Sequence, residues 1–191
     1  MKITNYKILL ASNSPRREEL LRGLDIDFEI KVLSDIDETY PADLPSEEVA
    51  EYVAQKKADS YTSNLKEDEL LITADTVVIL DNEIYEKPTD KDDAKEMLHA
   101  LSGKTHRVIS GVCLTSNTKQ TSFSVASDVE FEKLTNEEIE YYIERYSPFD
   151  KAGSYGVQEW IGYIGVKHIN GSYYNIMGLP IQRLYKELKS F

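Results

Sequence analysis

Ile8-Leu9-Leu10-Ala11-Ser12-Asn13-Ser14-Pro15-Arg16-Arg17-Glu18-Glu19-Leu20-Leu21 decides how the chain is read. An apolar run gives way to two serines around an asparagine, then to a proline and paired arginines, before apolar residues return at helical spacing. The pattern predicts strand, tight loop, helix. Ser14 suits the N-cap and Pro15 the first helical position, where a missing N–H costs nothing because that donor has no partner in the helix anyway. A helix start offers free backbone N–H groups and the positive end of a dipole. Here Ser12, Ser14, Arg16 and Arg17 add hydroxyls and guanidiniums, a set that suits a phosphate chain. An ordinary capped helix with solvated arginines fits the same residues, so the rest of the chain must decide.

The second informative stretch is Leu70-Leu71-Ile72-Thr73-Ala74-Asp75-Thr76-Val77-Val78-Ile79-Leu80. It predicts a central strand buried on both faces, in which an ionised carboxylate is costly unless a cation, a metal or several donors face it. Asp75 is therefore a candidate site residue, although a bulge with backbone donors would also satisfy it. Asp81-Asn82 predicts a turn, and Glu83-Ile84-Tyr85-Glu86-Lys87-Pro88 a second strand whose exit carries Lys87 beside the strand of Asp75.

Between these stretches, Phe28 to Val32 predicts an extended segment. Asp35, Asp37 and Glu38 follow, either a metal-binding group or a solvated acidic loop. Ser46 predicts the cap of a helix running to about Thr62, with Val49, Val53 and Ala54 as its buried stripe and Lys56 and Lys57 near its end. Thr89 with Asp92 predicts a capping box for a helix to about Leu101, and Thr135 with Glu138 a second one. Arg107–Thr115 and Thr121–Phe131 read as scaffold strands. Asn170-Gly171, between Tyr163–Ile169 and Ser172–Met177, predicts a hairpin. Ile181, Leu184, Tyr185 and Leu188 predict the buried face of a terminal helix.

With 191 residues and 41% hydrophobic content the chain can bury a substantial core. Twenty-two basic against 34 acidic side chains give a formal charge of -12, which argues against a broad nucleic-acid-binding face. A polyanionic small molecule would need a local cationic site or a bridging divalent ion. No apolar run has the ~20 residues of a membrane span, and no secretory signal opens the chain, so the expected compartment is the cytoplasm. Cys113, in Val112-Cys113-Leu114, reads as a buried small hydrophobe. No linker or repeat is visible, so residues 1–191 are expected to form a single domain, an α/β unit with a mixed twisted sheet and flanking helices.

Taken together, Leu10-Ala11-Ser12-Asn13-Ser14-Pro15-Arg16-Arg17, Ala74-Asp75-Thr76-Val77-Val78, Glu86-Lys87-Pro88, Leu101-Ser102-Gly103, Asp150-Lys151-Ala152-Gly153 and Gly171-Ser172-Tyr173 resemble the Maf family of nucleoside triphosphate pyrophosphatases. The resemblance implies a fold shared with inosine-triphosphate pyrophosphatases, two lobes around a cleft, a divalent metal (Mg²⁺ or Mn²⁺) and a homodimer. Its functional positions fall on Ser12, Arg16, Arg17, Glu38, Lys57, Asp75, Lys87 and Gln158, with Glu38 and Asp75 as metal ligands. Lys57 is chosen over Lys56 because it directly precedes Ala58. Thr76 after Asp75, and Gln158 after Tyr155-Gly156-Val157, are similar to the subgroup acting on dTTP and UTP. A pyrophosphatase for modified purine nucleotides such as 7-methyl-GTP, or a non-enzymatic regulator of septum formation, are the competing expectations.

Overall fold

The structure is a computed structural model and describes residues 3–191. The opening motif folds as its sequence predicts. Strand β1 (Lys7–Leu10) leads through a four-residue loop into helix α1 (Pro15–Arg22), with Ser14 as its N-cap. β2 (Phe28–Ile30) pairs parallel with one edge of β1, and β3 (Glu69–Leu80) pairs parallel with the other. Both edges of β1 are thus hydrogen-bonded, and Ile8, Leu9 and Leu10 in succession are buried, as in a strand covered on both faces.

β3 is the predicted apolar strand, 12 residues long, and only Asp75 and Thr76 are less than fully buried along it. It turns through Asp81 and Asn82, both at positive φ as a tight hairpin requires, into the short β4 (Glu83–Tyr85). β5 (Thr105–Thr115), β6 (Gln120–Phe131) and β7 (Val166–Asn170) complete a mixed seven-stranded sheet in the order β2-β1-β3-β5-β6-β7, with β4 on β3. Helices α2 (Val49–Asp59), α3 (Lys91–Leu101), α4 (Asn136–Tyr146), α5 (Trp160–Gly165), α6 (Tyr173–Met177) and α7 (Ile181–Ser190) supply the rest.

The contacts divide the chain into two compact units. The first takes the described residues through Thr76, with Ser110–Val125 and Gly178–Phe191; the second takes Val77–Ile109 and Ala126–Met177. In the first unit Leu9, Ala54, Ala58, Tyr61, Leu65, Leu71 and Cys113 form one buried cluster, and Leu184 and Leu188 of α7 are buried as their spacing predicts. Gly111 lets α2 approach β5, since a Cβ there would stand 2.3 Å from the Ala50 carbonyl carbon. In the second unit Phe131, His106 and Tyr155 pack edge to face, with ring centroids 4.9–5.3 Å apart.

Four local expectations need correction. Ser46 opens a 3₁₀ turn rather than capping α2, which has no side-chain cap and ends at Asp59. The cap of α3 is Asp90, one residue later than predicted; it accepts the Asp93 N–H, and Asp93 accepts the N–H of Thr89 instead of that of the cap, so the reciprocal box does not form. β4 stops at Tyr85, so Lys87 lies outside the hairpin ladder expected to carry it. Asn170-Gly171 makes no hairpin: Tyr163 is helical and Ser172 begins the turn into α6. The hydroxyl of Ser127 accepts the Ser172 N–H at 3.0 Å, and the buried Asn175 amide donates to that oxygen and to the Val108 carbonyl. These buried polar bonds, combined with a Gly171 at φ +135° whose Cβ would strike Ser127, outweigh the local turn preference.

Candidate active site

The loop before α1 is held by its own serines. The Ser12 hydroxyl accepts the Ser14 N–H at 3.2 Å, and the Ser14 hydroxyl accepts the Arg17 N–H at 3.4 Å. Each oxygen is used as an acceptor, so each hydroxyl keeps its proton to donate to a ligand. The two arginines diverge. Arg17 donates from Nε to the Gly178 carbonyl at 2.8 Å, from Nη1 to the Ala74 carbonyl at 2.9 Å and from Nη2 to Thr76 Oγ1 at 3.1 Å. Its guanidinium therefore ties α1 to both neighbours of Asp75. Burial lowers its pKa, the charges of Asp75 and Glu38 oppose that, and Arg16 reinforces it. Arg16 is half-buried on the same helical turn.

Asp75 is met by a cation from α2. Lys57 Nζ lies 2.8 Å from Asp75 Oδ1 and 3.0 Å from Glu38 Oε2, one ammonium between two carboxylates. α2 is anchored to β3 by the buried Thr73 hydroxyl, which donates to the Ala54 carbonyl at 2.6 Å, about one turn before Lys57. Lys56, one residue earlier, turns to Asp37 and Thr39 instead, which settles which lysine faces the strand acid. Asp35, Asp37 and Glu38 do not converge: Asp37 faces Lys56, Glu38 faces Lys57, and Asp35 is exposed at φ +59°. Among the described residues no three His, Cys, Asp or Glu side chains form a metal-holding group.

Glu38 and Asp75 nevertheless fit a hard cation. Asp75 Oδ2 and Glu38 Oε1 have no hydrogen bond or ion pair among the described residues, and a pair of carboxylates leaves most of an octahedral shell to phosphate oxygens and water. That is how Mg²⁺ is commonly bound in nucleotide sites; a dedicated protein cage is rarer.

The Thr76 hydroxyl, expected to serve recognition or water placement, is closely engaged by protein groups. It sits 2.8 Å from Ser110 Oγ while accepting from Arg17, and it also reaches the Gly178 carbonyl at 3.4 Å. Sequence reasoning passes over both partners. Ser110 carries the same signal as Asp75, a polar residue inside the apolar run Val108-Ile109-Ser110-Gly111-Val112; the Gly178 carbonyl carries none.

Lys87 and Gln158 belong to the second unit. Lys87 is exposed two residues past β4. Gln158 follows the buried Val157, and its Oε1 is buried without a hydrogen-bond partner. A buried acceptor left in that state invites a donor from a ligand. Its loop is anchored at Gly153, whose positive φ of 65° turns its N–H onto the Glu86 carbonyl at 3.1 Å.

Comparisons with known proteins give the family and the fold. Residues 7–191 match the family model described as Maf, Maf-like protein. A protein of Bacteroides thetaiotaomicron named dTTP/UTP pyrophosphatase is 59% identical over 98% of this chain and 97% of its own. A Parabacteroides distasonis protein of the same name is 57% identical over 99% and 98%. Among solved structures, the Ham1 protein of Staphylococcus aureus superposes with a TM-score of 0.57 over 96% of this chain and 98% of its own at 15% identity. A HAM1 protein of Coxiella burnetii gives 0.51 over 97% and 100% at 17% identity. These two show a common fold. The opening loop, the acid within β3 and the full-length match together place this chain in the Maf family.

Proposed function

We propose that the chain is a nucleoside triphosphate pyrophosphatase that hydrolyses dTTP and UTP to the monophosphate and pyrophosphate. The observation that carries this reading is the grouping of Asp75 of β3, Lys57 of α2 and Glu38 of the loop before it, with Arg17 tying the start of α1 to both neighbours of Asp75. The base preference is supported by relatives of that name at 57–59% identity.

Cleavage of the α–β phosphoanhydride needs water held in line with the α-phosphorus and neutralisation of the leaving pyrophosphate. The water oxygen bonds to phosphorus as the bond to the bridging oxygen breaks. Asp75 is the general base for the attacking water. Lys57 holds the acid in place through Oδ1. Arg16, the α1 amides and the Ser12 and Ser14 hydroxyls bind phosphate oxygens, Arg17 keeps the Asp75 backbone in register, and Lys87 is, on the family resemblance, a further phosphate cation. Gln158 serves base recognition, while Thr76, whose hydroxyl is engaged by Arg17 and Ser110, holds the Arg17 guanidinium in place. Mg²⁺ or Mn²⁺, held by Glu38 and Asp75, would supply charge neutralisation at the phosphates. We place the chain, as one domain over 1–191, in the cytoplasm with its nucleotide substrates and as a homodimer, on the strength of the family resemblance.

Pyrophosphate release across canonical and modified triphosphates, with and without chelator, tests this reading. Release from dTTP and UTP ahead of purines, lost on chelation and restored by Mg²⁺ or Mn²⁺, is the expected result. Faster turnover of 7-methyl-GTP or another purine would overturn the specificity, and no release from any triphosphate would overturn the enzymatic reading in favour of a regulator.

A further inference from the structure

Glu38 sits in a segment without regular structure, residues 31–45, and its side chain is 54% exposed. A mobile carboxylate there would be a poor partner for Lys57. Both residues flanking it are held by one side chain. Lys56 Nζ lies 2.7 Å from Asp37 Oδ2, 2.6 Å from the Thr39 carbonyl and 2.9 Å from Thr39 Oγ1, so all three ammonium protons have acceptors. The Thr39 N–H closes the turn on Asp37 Oδ1 at 2.9 Å.

Lysines adjacent on a helix point about 100° apart. One therefore reaches the loop while the other reaches the strand. An isolated exposed ion pair is worth little. Here one ammonium takes acceptors from both sides of the residue to be placed, and its helix is fixed to β3 through Thr73 and Ala54.

We infer that Lys56, with Asp37 and Thr39, is a positioning device that holds Glu38 against Lys57. The inference rests on the proposed role of Glu38 in pyrophosphate release. The two lysines thus have complementary roles, since Lys57 meets the acids and Lys56 fixes the loop that delivers one of them.

A double-mutant cycle with hydrogen exchange tests this. Lys56→Met should lower kcat/KM by roughly ten- to a hundredfold, since small misplacements of site groups cost that much. Glu38→Gln should cause a comparable or larger loss, and the double variant should be no worse than Glu38→Gln alone. In the substrate-free protein, Lys56→Met should speed amide exchange across residues 37–39 at least about fivefold, by loss of the contacts that hold the turn, while leaving the 53–58 segment of α2 protected. Asp37→Asn, which keeps the turn acceptor and loses the charge, should give the same pattern at smaller size. Multiplying losses in the double variant, or unchanged exchange at 37–39, would overturn the inference. Full activity in Glu38→Gln would instead overturn the role of Glu38 while leaving the exchange result to judge the clamp.

Discussion

Each unit places a lysine between two carboxylates, and the two arrangements end differently. In the first, Lys57 lies between Asp75 and Glu38, and each acid keeps an oxygen with no bond among the described residues. In the second, Lys151 lies 2.7 Å from Asp150 Oδ1 and 3.1 Å from Glu159 Oε1. There Glu159 also accepts from the Tyr142 hydroxyl, which in turn accepts the Gly156 N–H at 3.0 Å. The second network closes on itself and pins a loop. The first stays open. Unused bonding capacity, more than burial or charge, is what distinguishes the proposed catalytic group from the second.

The comparison breaks or holds on which property each site loses. Asp75→Asn should lower kcat for pyrophosphate release at least about a thousandfold, in the range lost with a general base, while its thermal midpoint stays near wild type. Glu159→Ala should do the opposite: stability falls by roughly 3 kcal/mol because Lys151, 9% exposed, loses its shielded partner, and turnover per folded molecule stays within a few-fold. Denaturant unfolding beside steady-state kinetics on both variants checks this. Large losses of both kinds in either variant would erase the distinction.

A smaller effect sharpens the closed side. Burial lowers the His106 pKa to about 4, against a weaker pull upward from Asp128, and the ring meets the Tyr155 hydroxyl at 2.7 Å. The unfolded chain takes up this proton as pH falls through about 6.5, while the folded protein refuses it until about 4. The stabilising contribution is therefore complete above about pH 6.5 and is lost progressively down to about pH 4, at most roughly 3 kcal/mol. His106→Gln, which keeps a partner for Tyr155 without titrating, should flatten the decline of unfolding free energy across that same interval. An unchanged slope in that variant would remove His106 as its source.

Much of this was legible from residue type alone. The Ser14 cap, Pro15 at the first helical turn, the Asp81-Asn82 hairpin and the Thr135–Glu138 box are local chemistry, and each folds as predicted. Asp75 stands out because an acid inside an apolar strand demands a partner, and Lys57 is that partner. What stays hidden depends on side-chain direction. Nothing in Arg16-Arg17 says that Arg17 turns inward to Gly178, 161 residues away. The residue types of Lys56-Lys57 do not say which faces the strand; only the place of Lys57 before Ala58, read through the family resemblance, points to it. Asn170-Gly171 misleads for the converse reason, a strong local signal overruled by the buried bonds of Ser127 and Asn175.

The central claim is that water, activated beside Asp75, attacks the α-phosphorus of a nucleoside triphosphate. Hydrolysis of dTTP in ¹⁸O-enriched water tests it directly. The account predicts one ¹⁸O in the thymidine monophosphate and none in the pyrophosphate. Label in the pyrophosphate, or release of orthophosphate in its place, would contradict it.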